Sequence, residues 1–163
     1  MPDVTPAGVL SLPLSRLRTL LSNVPAFQTF TGTASAAAAL AKIYVDEAPP
    51  DTRPMALIAL NDDWSWNSIG EGAGVDYGYN LHGSLLLMIE AAVTSTYAAL
   101  SQSYNAAYEF HNSAGAVWAG ICALSGSGSY LAVTGGDLVY VGRSDKREGE
   151  ANDYYQAIWR LRI

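Results

Sequence analysis

The segment from Asp153 to Ile163, DYYQAIWRLRI, constrains the fold more than any other part of the chain. Read with a period of two, Tyr155, Ala157, Trp159, Leu161 and Ile163 fall on one face, and Tyr154, Gln156, Ile158, Arg160 and Arg162 fall on the other. That pattern is a strand. A strand of this length needs a partner on at least one edge, so the chain must build a sheet around it. The first face suits a core, whereas the second carries two arginines beside a tyrosine and an isoleucine and must meet something else.

Upstream, apolar runs alternate with proline and glycine punctuation. The opening stretch through Pro13 is interrupted by prolines and is expected to be an extended arm (residues 1–13), leaving 14–163 as a single domain. Leu14, Leu17, Leu20 and Leu21 share a helical face, with Ser11 or Ser15 as cap and Pro25 as stop. The alanines of TASAAAALAKIY predict a second helix from Thr33 to Tyr44, and Pro49, Pro50 and Pro54 forbid its continuation. MALIAL, Met55 to Leu60, is short and apolar and reads as a buried strand.

In DDWSWNSIGEGAGVDYGYNLHGSLLLMIEAAV, Trp64, Trp66 and Ser68 alternate with polar residues before Gly70, Gly72 and Gly74, and a long apolar strand from Leu81 to Val93 follows. This predicts a β-hairpin with its tip at Ser68 to Asp76. After a connection from Thr94 to Gln102, the residues Tyr104, Ala107, Tyr108, His111, Ala114, Trp118, Ile121 and Cys122 follow helical steps, and Gly126 stands as the stop. The small residues Ala114, Gly115, Ala119 and Gly120 would let that helix lie close to a sheet. Short strands are expected at Tyr130 to Thr134 and Leu138 to Val141, on either side of Gly135-Gly136. The whole is an α+β arrangement: a mostly antiparallel sheet with helices packed on one face and a long protruding β-hairpin.

Charge narrows the function. Nine Lys+Arg against fifteen Asp+Glu give a net charge of −6, and the one dense cationic group, Arg143, Lys146 and Arg147, is interleaved with Asp145, Glu148 and Glu150. A basic face for nucleic acid is therefore disfavoured. Half of the residues are hydrophobic and only 15% are charged, a balance often met in chains whose surface is covered by other subunits. The single cysteine, Cys122, has no partner for an internal disulfide or a zinc cluster and is expected to be buried and structural. No apolar run reaches the roughly 18 to 20 residues of a membrane span, and the N-terminus lacks the pattern of a signal peptide, so a soluble chain with no membrane partner is expected.

No catalytic pattern emerges. GEGAGVDY is not a dinucleotide cradle and joins two strands, and SGSGS at 125–129 is not a nucleophile elbow. His82 and His111 lack the spacings of metal or triad partners and read as packing or surface groups. Asp62 and Asp63 suit a polar end to a buried strand, and Glu90, inside LLLMIEAAV, is expected on the outer face of the sheet. Trp64, Trp66, Tyr77 and Tyr79 fit cross-strand pairing or a subunit contact better than base stacking, because no basic residues lie between them. No catalytic, metal or cofactor residue is assigned, and an enzyme is not expected.

The order of elements resembles the tail terminator (tail completion, or head-tail joining) proteins of long-tailed bacteriophages. The resemblance runs from about Thr33 onward and rests on three pieces: the entry into the first strand after Arg53-Pro54, the hairpin return through Gly83 to Val93, and a final strand preceded by an acidic turn, EGEANDYY. It implies a non-enzymatic homo-oligomeric ring, a hexamer, that caps the tail tube and joins it to neck or connector proteins. Partners would be other copies of the chain, the tail tube protein and the neck, with DNA only as passing cargo. The place would be the virion tail or neck, and the host cytoplasm during assembly. Open sheet edges and a long hairpin suit heterologous contacts of this kind. On this reading Trp64, Trp66, Tyr77, Tyr79, Arg160 and Arg162 would form subunit or partner contacts, and Asp62, Asp63, Glu71 and Asp76 would face the channel. Arg160 and Arg162 would meet acidic groups on this chain's helices or on a neighbour. The alternatives are another neck, tail-tube or capsid-associated structural protein of the same virion, or a small hydrolase or ligand-binding domain.

Overall fold

A computed structural model describes residues 11–69, 78–93, 100–128 and 130–163. The helices α1 (Ser11–Ser22), α2 (Pro25–Thr31) and α3 (Ala36–Leu40) come first, followed by strands β1 (Ile43–Val45), β2 (Met55–Leu60), β3 (Ser65–Ile69), β4 (Gly78–His82) and β5 (Ser84–Ala92). The long helix α4 (Leu100–Leu124) leads to β6 (Gly135–Ser144) and β7 (Tyr154–Arg162). The α+β class holds, with a five-stranded sheet in the order β1-β2-β5-β7-β6 and a separate two-stranded sheet of β3 and β4. Among the described residues only β1 with β2 is a parallel pair.

Helices cover one face of the larger sheet. Ala56 and Ile58 of β2, Leu85, Leu87 and Ile89 of β5, and Tyr155, Ala157, Trp159 and Leu161 of β7 all point to that side. Against them pack Leu17, Leu20 and Leu21 of α1, Phe27 of α2, and Phe110, Ala114, Val117 and Ile121 of α4. Complete burial of one such leucine or phenylalanine is worth about 1.5 to 3 kcal/mol, so this layer is the main source of stability.

Several expected boundaries move, each for a local reason. Helix α1 begins at Ser11, so the last residues of the expected arm are helical. Pro25 does not merely stop α1; it opens α2, where its fixed φ and missing N–H cost nothing, and Gly32 closes α2 at φ 66°. The helix expected from Thr33 to Tyr44 shrinks to Ala36–Leu40, with the Ala38 N–H donating to Ser35 Oγ at 3.2 Å. Ile43, Tyr44 and Val45 instead pair with Ala56, Leu57 and Ile58, because β-branched residues gain more from the sheet than from a frayed helix end.

The expected strand from Leu81 to Val93 is two strands. Leu81 and His82 belong to β4 and pair with β3, and the chain crosses to the larger sheet at Gly83. A side chain at Gly83 would run into the Trp64 indole, which lies over that backbone. Strands β3 and β4 pair antiparallel; of the expected tip, Ser68 to Asp76, Ser68 and Ile69 belong to β3, and residues 70–76 lie outside the described residues.

Helix α4 is rotated from the expected face. Phe110 and Val117 point inward, Tyr108 is 68% exposed, and His111 lies exposed at the border. Cys122 is exposed and not the buried cysteine expected, because Ile121 takes the inward position. Gly120 approaches Val24, between α1 and α2, rather than the sheet. Residues 130–134 are not a strand; β6 runs instead through Gly135 and Gly136, where the Trp118 ring leaves no room for a side chain at Gly136.

Candidate functional site

Parity puts Glu90 where the sequence pointed, on the face of β5 away from the helices, opposite Met55 on β2 and Gln156 on β7. There it is completely buried rather than solvated. Two loops, one joining β1 to β2 and one joining β6 to β7, fold over it and bring arginines.

Arg53 donates from Nε to Glu90 Oε2 at 2.8 Å. Arg147 donates from Nη1 to Oε2 at 2.9 Å and from Nη2 to Oε1 at 2.5 Å, and Gln156 Nε2 donates to Oε1 at 2.6 Å. Arg53 also reaches Glu150 at 2.6 Å. The Tyr154 ring supports both guanidinium groups, with Arg53 3.8 Å and Arg147 4.7 Å from its centroid. Burial raises the Glu150 pKa, but the hydrogen bonds from Arg53 and from the Arg147 N–H outweigh it and hold the carboxyl below its usual range. The hydrogen bonds to Glu90 raise the pKa of Arg147 further.

Two cations and two anions cancel, and the Glu90 oxygens already accept four donors. No lone pair is left to take a proton from a substrate, so the cluster works as a clamp. It ties the β1–β2 loop to the β6–β7 turn, helped by the Ala151 N–H donating to Asp51 Oδ1 at 3.2 Å. Asp46 and Asp51 hold left-handed φ values of 62° and 57° in the clamped loop, a conformation that needs such support. The Arg53–Pro54 peptide is cis. Sequence reasoning missed this cluster; its only signal was a glutamate inside an apolar strand.

Arg160 and Arg162 meet an acid on their own sheet, not on a helix. Both bond Asp137 of β6, Arg160 at 3.3 Å, and all three side chains are about half exposed. The hydrogen bond from Arg160, with the nearby Arg162 charge, holds the Asp137 carboxyl below its usual range. Asp63 accepts from the Ser84 N–H at 3.0 Å and the Ser84 hydroxyl at 2.5 Å, and that hydroxyl bond lowers its pKa. Asp62 is exposed. Trp64 packs half-buried against the core, and its Nε1 is buried without a partner among the described residues. Trp66 lies on β3 opposite Leu81, and Tyr79 on β4 opposite Ser68. Glu71, Asp76 and Tyr77 lie outside the described residues. Trp64 thus packs on Gly83 and the core, and Arg160 and Arg162 sit on the larger sheet beside Asp137.

Neither histidine is hydrogen-bonded to a carboxylate or hydroxyl among the described residues. His111 borders an open, mainly apolar cleft of about 280 Å³ between α4 and the β6–β7 edge, where Trp118 stacks on Trp159 with centroids 6.1 Å apart. Among the described residues no group of three or more His, Cys, Asp and Glu is placed to hold a metal ion. No described helix is long and apolar enough to cross a membrane. No protein-family model matches this sequence, and no curated protein matches it.

Proposed function

We propose that the protein is a structural component of a virion, a tail terminator that closes the tail tube as a ring and joins it to the neck. The order of elements supports this reading: N-terminal helices, a first long strand entered through Arg53-Pro54, an antiparallel pair returning through Gly83, one long helix and a closing strand. The observation that carries it is the β3–β4 pair. Its strands form their own sheet, hydrogen-bonded to no strand of the larger one among the described residues, and so are available to pack on a neighbour or on the tube. The Glu90 carboxylate is bonded entirely from within the chain, as befits a rigid subunit, while Arg53 Nη2 is buried without a partner among the described residues.

The test is assembly. Purified protein added to growing tail tubes should stop their elongation, and electron microscopy should show a six-fold ring at the tube end. Protein that sediments as a monomer both alone and with tubes would overturn the reading.

A further inference from the structure

We draw no further inference here: the strongest candidate, the open apolar cleft between α4 and the β6–β7 edge that His111, Trp118, Leu138 and Trp159 line, is an unpartnered surface, and nothing in the structure shows what covers it.

Discussion

Glu90 and Arg147 are 57 residues apart in sequence, yet the arginine clasps the carboxylate with both terminal nitrogens, at 2.9 and 2.5 Å. The pair joins the centre of the sheet to the turn before its last strand. With Arg53 it makes the β1–β2 loop and the β6–β7 turn one unit.

Removing Glu90 leaves Arg53 and Arg147 with one carboxylate, that of Glu150, between them. Arg53 is only 3% exposed and would lose the partner of its Nε. Glu90→Ala should therefore destabilise the fold by about 3 to 5 kcal/mol, the usual cost of breaking a buried pair from one side. Denaturant unfolding measures it, and a loss below about 1 kcal/mol would show that the cluster is not a clamp. Glu90→Ala and Arg147→Ala together should cost less than the sum of the two single changes, because the second change removes a charge that the first left unpaired.

Acid should weaken the fold. Four carboxyls are held below their usual range: Asp63 by the Ser84 hydroxyl, Asp137 by Arg160, Asp153 by Arg143, and Glu150 by Arg53 against the upward push of burial. A carboxyl with a depressed folded pKa binds fewer protons than the unfolded chain, so its stabilisation is present above the ordinary value and disappears as pH falls through the folded value. The melting temperature should hold above the ordinary values of 4.5 for Glu and 3.8 for Asp and fall below them. Glu150→Gln should flatten that fall at a cost in stability at neutral pH, and an unchanged acid slope would remove Glu150 from the account.

Gly136→Ala should strain the edge of the core. A methyl group there would enter the Trp118 ring, which stacks on Trp159 at an interplanar angle of 10°. Displacing that ring should cost about 1 to 3 kcal/mol and change the near-ultraviolet circular dichroism of the tryptophan pair. A variant with parental stability and spectrum would mean that the ring moves aside freely.

The parts of the fold that were legible in the sequence are those that depend on alternation. The two faces of β7 and the outward parity of Glu90 follow from a period of two, and the strand Met55–Leu60 from a short apolar run between breakers. What sequence could not supply was long-range competition. Ile43–Val45 extends an alanine-rich helix in local terms, and only its pairing with β2 makes it a strand. Gly83 looks like one small residue inside a strand until the Trp64 ring is placed over it. The face of α4 shifted because Phe110 stacks on Tyr155, at 5.5 Å between centroids, a contact that helical spacing alone does not reveal. The clamp was hidden for the same reason: Arg53, Arg147 and Glu150 sit in loops, where sequence gives no direction to a side chain.

The channel expectation separates two neighbouring acids. If the proposed ring encloses DNA, an inner wall bearing Asp62 should repel phosphate, and Asp62→Lys should increase salt-dependent DNA retention by isolated rings. Asp62 is exposed with no side-chain hydrogen bond among the described residues, so this change should leave the melting temperature nearly constant. Asp63 cannot be used in the same way. Its carboxylate accepts from both the N–H and the hydroxyl of buried Ser84, and Ser84 Oγ in turn accepts from Asn61 Nδ2 at 3.0 Å. Asp63→Lys strands a buried N–H at the point where the chain enters β5 and should cost about 1 to 3 kcal/mol whatever the ring does. Parallel melts and filter-binding assays distinguish the two: DNA retention that rises with Asp62→Lys supports a channel-facing position, while retention equal to the parent at low salt takes Asp62 off the inner wall.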